Sequence, residues 1–254
     1  MKAAQIKQYS KNIHITVNDI PIPETGDYDI LVRIKAAAVN PVDILNLTGL
    51  TAYQAITEEL NAKPEETVFF PGGSGSFGQM AVPIAKSLGL RVIVSGNSRA
   101  KDVILSAGAD QYIEYTKEDY WKIMSDVDYV IDALGEKEFS RELSVLKKGG
   151  ILLILRTGPN KAFAEKNRFS FAKRTLFALA GSKYDKQARR QGKEYRFLFV
   201  RADGMQLEKI THIVETEHFV PQIDQRIFDI SQINDAMELV AKGHTNGKVI
   251  IRFS

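Results

Sequence analysis

Apolar positions along the chain change period twice. Up to about residue 45 they alternate or run together in β-branched stretches: "MKAAQI", "IHITVNDI" and "DILVRIKAAAV". Polar turns and the proline-rich "IPIPETGDY" separate them. This is a strand pattern without the 3.6-residue period of a helix. From about 51 to 200, continuous apolar runs alternate with helical ones. "TVFFP" leads into "SFGQMAVPIAKSLGL", "RVIVS" into "RAKDVILSAGA", "QYIEY" into "KEDYWKIMS", and "VDYVIDAL" into "KEFSRELSVLKKG". "GILLIL" and "EYRFLFV" follow as further strands. Apolar strands alternating with helices predict an α/β protein whose parallel sheet is covered on both faces, and right-handed crossovers make it doubly wound.

Beyond about 203 the pattern is mixed again. "MQLEKITHIVE" reads as a helix, "FVPQIDQRIFDI" as extended chain, "ISQINDAMELVAKG" as a helix with Ser231 as N-cap, and "GKVIIRF" as a last strand. No internal repeat or low-complexity tract breaks this order. The predicted division is residues 51–202 for the parallel-sheet domain, and 1–50 with 203–254 for a second, smaller one.

Composition narrows the function. The 254 residues are 44% hydrophobic and 26% charged, as in globular domains. A net charge of +3 gives no ground for nucleic-acid binding, and the basic run Lys183–Lys193 reads as a solvated helix face. There is no cysteine, which excludes disulfides, thiolate metal sites and cysteine nucleophiles. His14, His212, His218 and His244 lack metal-ligand spacing. "ILLIL" is far too short to cross a bilayer, and "MKAAQIKQYS" lacks the apolar core of a signal peptide. A soluble, cytoplasmic protein without membrane contact is the expectation. The aromatic-rich "AFAEKNRFSFAKRTLFALAG" is expected to cover the sheet or line a cleft rather than to lie on a membrane surface.

The chemistry concentrates in "VFFPGGSGSFGQMAVPIAKSLG". Gly73, Gly75 and Gly78 form G-x-G-x-x-G directly after a predicted strand and at the opening of a predicted helix, the context that a dinucleotide site needs. Gly73 is expected to make the tight turn, Gly75 to let backbone approach a pyrophosphate, and Gly78 to let helix and strand pack closely. Ser74, Ser76 and Phe77 complete the turn, and the helix N-terminus offers free N–H groups. No Gly-Lys-Ser/Thr follows, so this is not a P-loop.

About 20 positions on, where an NAD site wants an acid for the ribose hydroxyl, stand Ser95, Asn97, Ser98 and Arg99, with Lys101 nearby. Hydroxyls and cations suit a 2′-phosphate, so NADPH is favoured over NADH. Tyr115, after the third strand, is a further candidate for that phosphate.

Together "VRIKAAAVNPVDI", "LTGLTAYQAI", the glycine turn, "SAGADQYIEY", "VDYVIDALG" and "NGKVIIRF" span nearly the whole chain. In that order they resemble the medium-chain dehydrogenase/reductase superfamily, in its zinc-free quinone oxidoreductase-like branch. The resemblance implies a Rossmann domain between two parts of a GroES-like β domain, with NADPH in the cleft and hydride passing to a quinone or enone. It places Asn40 beside the nicotinamide and substrate, Thr51 near the nicotinamide ribose or amide, and Leu134 and Gly135 along that ribose. Leu155 to Gly158, with Leu155 and Thr157 foremost, should line the same cleft. Tyr53 is either a general acid or a packed helix residue. The edge strand Tyr195–Val200 is expected to pair with its copy in a homodimer.

The chain departs from the family pattern between "NPVD" and "LTAYQ". Asp43 and Thr51 are eight positions apart, whereas in the family a long segment with most of the β barrel lies between them. The expected fold is therefore a doubly wound Rossmann sheet with a small, truncated GroES-like β domain. The remaining strands should pair into a small sheet or lean on a partner chain. Three readings follow: an active NADPH-dependent quinone or enone reductase, an NADPH-binding protein that has lost turnover and serves as a sensor or interaction module, and a deletion form of a longer reductase.

Overall fold

The computed structural model describes residues 1–6, 14–26, 31, 36–39, 48–156, 158–216, 223–242 and 248–253. The chain forms two compact units, Met1–Leu45 with Pro221–Ser254, and Asn46–Val220. In the first, β1 (Lys2–Ile6) and β2 (Ile15–Asp19) pair antiparallel, and β3 (Ala36–Val39) belongs to a separate sheet.

The second unit opens with α1 (Thr48–Gln54), extended by a π-helical turn at Ala55–Glu59. Strand and helix then alternate: β4 (Thr67–Phe70), α2 (Ser76–Ser87), β5 (Arg91–Gly96), α3 (Lys101–Ser106), β6 (Gln111–Glu114), α4 (Tyr120–Ile123), β7 (Val127–Asp132), α5 (Phe139–Val145), β8 (Leu146–Ile154), α6 (Lys161–Lys166), α7 (Phe171–Arg190), β9 (Glu194–Phe197) and α8 (Gly204–Thr216). All six strands are parallel, in the order β6-β5-β4-β7-β8-β9. This is the Rossmann arrangement. Strand order reverses between β4 and β7, which opens a crevice beyond their carboxyl ends.

Successive side chains of a strand point to opposite faces, and here both faces are dry. Val68 and Phe70 join one core with Val92, Val94, Ile131 and Leu153 beneath α1, α2 and α8. Phe69 joins the other with Ile93, Val130, Leu152 and Ile154 beneath α4, α5 and α7. That is why the strands read as unbroken apolar runs.

Several boundaries differ from expectation. The helix expected from "KEFSRELSVLKKG" stops at Val145, and β8 begins at Leu146. Gly149 within it has φ +81°, and a Cβ on Gly150 would lie 3.0 Å from the Asp128 carbonyl oxygen, so this stretch bends rather than coils. The strand expected over Tyr195–Val200 ends at Phe197. In α7 only Gly181, Tyr184 and Ala188 are buried, so its second half covers the sheet while Phe171 and Leu179 stay exposed.

The expected boundary at 202/203 is wrong for α8, which belongs to the second unit. Ile210 enters the core beneath α1 and α2. A buried amide reinforces the attachment. Gln54 Nε2 donates to the Arg201 carbonyl and to Gln206 Oε1, each at 2.9 Å, and Gln54 Oε1 accepts from Arg201 N at 3.1 Å. Glu58 takes both guanidinium nitrogens of Arg201 at 2.6 and 2.7 Å. Gln54→Leu strands the Arg201 backbone groups and is expected to destabilise the protein by about 1–3 kcal/mol, read as a lowered thermal midpoint. An unchanged midpoint would show that water replaces the amide.

The first unit is completed by β10 (Ile223–Asp229), α9 (Ile233–Lys242) and β11 (Lys248–Arg252). The sheet order is β10-β11-β3, with β11 parallel to β10 and antiparallel to β3. Ala236, Val249 and Ile251 form its small core. Asn234 accepts from Ile15 N at 2.9 Å and donates to Ile15 O at 2.8 Å. Ser231 is not the expected N-cap. Asp229 caps a 3₁₀ turn that leads into α9, accepting from Ser231 N, while Gln232 reaches back to Asp229 N.

Candidate functional site

The glycine turn lies where β4 ends and α2 begins. Gly72, not Gly73, takes the left-handed conformation, with φ +63°. A Cβ on Gly72 would sit 2.3 Å from Leu134 Cδ2, so this turn and the turn after β7 touch across the strand-order reversal. Gly73 is still needed as glycine, since its Cβ would lie 2.8 Å from Val94 Cγ1. Gly75 ends the turn as N-cap of α2 without a side-chain cap, and a Cβ there would meet open space. Gly78 packs on the turn itself: its Cβ would fall 1.8 Å from the Gly73 carbonyl oxygen. Gly75 and Ser76 are exposed, while Ser74 and Phe77 are half-buried. The Phe77 ring meets Phe70 edge-on at 5.9 Å. The result is an uncapped helix N-terminus whose first N–H groups face an open mouth, the arrangement that receives a phosphate.

The end of β5 is tied to this turn. Ser95 is buried and accepts from Gly72 N at 3.3 Å. Its hydroxyl therefore supports the turn and is not presented to a ligand, contrary to expectation. Asn97 donates to Ser74 Oγ at 3.3 Å and caps the Ser98–Ala100 turn through Ala100 N at 3.2 Å. Tyr112, its phenol pushed up to about 12 by burial, donates to the Asn97 carbonyl at 2.6 Å.

Ser98 and Arg99 are exposed, and no ion pair holds the Arg99 guanidinium among the described residues. Lys101 is engaged: it contacts Glu114 at 3.2 Å, with Lys117 on the other oxygen at 2.7 Å. The two ammonium groups, Lys117 foremost, hold the Glu114 carboxyl below its ordinary range. Tyr115 is exposed beyond them.

On the other side of the reversal, Asp132 ends β7 fully buried and accepts from the backbone N–H of Leu134 and of Gly135, the latter at 2.9 and 3.1 Å. Gly135, with φ +104°, turns the chain, and Leu134 is half-exposed. Leu155 follows β8 and donates its N–H to the Asp132 carbonyl at 3.0 Å. Thr51 Oγ1 is buried without a partner, an orphaned polar atom that a ligand's hydrogen-bonding group would satisfy.

Tyr53 is half-buried against the core and shares a groove with Ser87, Leu88 and His212, at the C-terminal end of α2. The length of α2, roughly 18 Å at 1.5 Å per residue, separates that end from the glycine turn, so Tyr53 is a packing residue rather than an acid beside it. Asn40 and Thr157 lie outside the described residues. The sequence reading missed Gly72, which the doubled glycine that opens G-x-G-x-x-G signals.

The zinc-binding dehydrogenase family model matches residues 107–251, more than half of the chain. The chain belongs to the zinc-binding dehydrogenase family. This family lies within the medium-chain dehydrogenase/reductase superfamily, and the order of the motifs resembles that of its quinone oxidoreductase-like branch. The mitochondrial NAD(P)H oxidoreductase RTN4IP1 of Mus musculus is 27% identical over 216 residues, 82% of this chain and 54% of the mouse protein. The chain thus spans about half the length of the curated relatives it matches.

Among solved structures, the quinone oxidoreductase of Coxiella burnetii superposes with a TM-score of 0.78 at 19% identity, covering 100% of this chain and 99% of that one. That of Thermus thermophilus gives 0.73 at 16%, covering 100% of each. At these identities the likeness speaks for the fold. Despite the family's name, no cluster of three or more metal-ligating side chains occurs among the described residues.

Proposed function

We propose that the chain binds NADPH across the carboxyl ends of β4, β5 and β7 and acts as an NADPH-dependent reductase of quinones or activated alkenes. The observation that carries this reading is the uncapped α2 N-terminus with open space over Gly75, at the point where strand order reverses. The match to a family with NAD(P)H oxidoreductases among its members supports it, and the Thermus structure was also solved with NADPH.

Bound NADPH supplies the hydride. The chain's own residues orient it: the turn Gly72–Gly78 and the α2 N–H groups take the pyrophosphate, Arg99 with Ser98 and Asn97 takes the 2′-phosphate, and Leu134 and Gly135 border the ribose next to the nicotinamide. Thr51 is assigned to the nicotinamide end, the role that the resemblance also gives Asn40 and Thr157. Catalysis of this type rests on positioning and on polarising the acceptor carbonyl.

NADPH fluorescence titration, paired with NADPH oxidation by 1,4-benzoquinone and 9,10-phenanthrenequinone, tests both halves. Binding without turnover over several acceptors would favour the second reading, a cofactor-binding sensor. Arg99→Glu replaces a charge-assisted contact by repulsion and is expected to weaken NADPH roughly 10–100-fold while sparing NADH. Equal loss for both cofactors would remove Arg99 from the 2′-phosphate site.

A homodimer through the β9 edge belongs to the same reading. β9 pairs only with β8 among the described residues, and an isologous strand pair would cover its open side. Light scattering giving the monomer mass would refute it. No described helix is long and apolar enough to cross a membrane. A cytosolic location fits a protein that meets NADPH in solution, whereas the RTN4IP1 relatives carry a mitochondrial name, and cell fractionation separates the two.

A further inference from the structure

Beneath the turn after β7 lies a carboxyl pair that the reading above does not use. Asp132 and Glu142 are both fully buried. Asp132 spends its oxygens on the Leu134 and Gly135 N–H groups. Glu142, on the inner face of α5, has no hydrogen-bond donor at either oxygen. The Asp132 carboxyl stands close enough to accept a hydrogen bond from it once one of the two carries a proton. Two carboxyls in contact in a dry interior cannot both be ionised, because burial and mutual repulsion each penalise the second charge. Asp132 has two N–H donors and the Arg156 charge in its favour, whereas Glu142 has none of these. The proton therefore resides on Glu142, whose O–H donates to Asp132.

We propose that Glu142 is a positioning residue for the cofactor: as a neutral acid it donates to Asp132, keeps that carboxylate aimed at the Leu134 and Gly135 N–H groups, and so holds the turn that borders the nicotinamide ribose. This rests on the reading of that turn as part of the NADPH site.

The surroundings agree. The groups facing the pair are Glu138 and Tyr120 near Glu142, and Arg156 and Tyr195 near Asp132. Arg156 is the cation that acts on the pair, and it does so through Asp132. Burial first, then the Asp132 charge, pushes Glu142 from 4.5 to about 10. The sign follows. A group held protonated by the fold gives its full contribution below its unfolded value and loses it progressively as pH rises toward the folded value. The hold on the turn should therefore weaken across the neutral-to-alkaline range, and the cofactor should loosen once Glu142 of the folded chain itself ionises, near the folded value.

The test compares the full chain with Glu142→Gln, whose amide keeps an N–H donor at every pH, and Glu142→Leu, which has none. Two quantities are read: hydrogen-exchange protection of the Leu134 and Gly135 amides without ligand, and NADPH affinity by fluorescence. Between about pH 6 and about pH 9 the unaltered chain should lose amide protection by up to about tenfold per pH unit, because only the opened turn ionises Glu142, and NADPH affinity should fall by roughly 10-fold between about pH 8 and about pH 11, across the folded value. Glu142→Gln should flatten both profiles, with any pH dependence from the NADPH phosphate itself common to the two proteins. Glu142→Leu should show low protection at both pH values.

Identical pH profiles for the unaltered chain and Glu142→Gln would overturn the proposal, whether or not Glu142→Leu folds. Protection that varies with pH as expected while NADPH affinity stays flat would overturn the link to the cofactor. Failure to bind NADPH at any pH would instead overturn the cofactor reading, and the exchange comparison would still judge the proton-held turn.

Discussion

Gly78→Ala is expected to reduce NADPH affinity by roughly 100-fold or more, the scale of loss that follows a misplacement of about 1 Å at a preorganised site. The added methyl would sit 1.8 Å from the Gly73 carbonyl oxygen, 2.6 Å from its carbon and 2.8 Å from its Cα. All three are backbone atoms with no rotamer to change, so the α2 N-terminus must lift away from the turn. That movement carries off the N–H groups that meet the pyrophosphate. Gly75→Ala is the informative companion. Its methyl meets no protein atom within 4 Å, so the variant should melt like the unaltered protein and still bind NADPH weakly, because the space it fills is the ligand's. Fluorescence titration and thermal melting together separate the two. Gly78→Ala binding within about 3-fold of the unaltered chain would show that the turn does not carry the phosphate.

The second large effect concerns stability. Phe69→Ala is expected to cost about 3–5 kcal/mol, the range for emptying a fully buried aromatic site. Phe69 is completely buried in the core beneath α4, α5 and α7, with its ring 4.9 Å from Tyr120. Phe70→Ala removes the same atoms one residue on, from the opposite face, and should cost a similar amount. The two should differ in ligand binding. Phe70 contacts Phe77 in the first turn of α2, so its loss should also weaken NADPH, whereas Phe69→Ala should shift the unfolding midpoint and leave affinity near its starting value. Chemical denaturation with matched NADPH titrations reads both. Equal affinity losses would mean that the two cores are not independent.

Much of the Rossmann unit was legible because strand and helix periods alternate cleanly. A sheet buried on both faces writes itself as apolar runs such as "TVFF" and "VDYVID". Side-chain direction was less legible. Ser95 sits at the predicted strand end, yet strand alternation points its hydroxyl inward to Gly72 N rather than outward. Gly73 was assigned the turn because the fingerprint begins there, but the left-handed residue is Gly72, one position earlier, where only backbone geometry reveals it.

α8 was assigned to the wrong unit because its own pattern does not name its partner. That partner is fixed by Gln54 meeting Gln206 across 152 residues of chain and by Ile210 entering the core. Glu142 is a charged residue within the helical run "KEFSRELSVLKKG", and its burial beside Asp132, at the end of the preceding strand, is set by packing that no single period describes.

The sheet of the first unit has a consequence for the order of events at the ribosome. β3 ends at Val39, and its antiparallel neighbour β11 starts only at Lys248. At a synthesis rate of about 5–20 residues per second, roughly 10–40 s pass between the emergence of β3 and that of its partner. Asn46–Val220 is a compact unit whose segments are all synthesised within that interval. The "AAAV" edge meanwhile waits unpaired, the condition under which nascent strands recruit chaperones or one another. Yield during expression should therefore depend on chaperone supply in proportion to how long that strand waits.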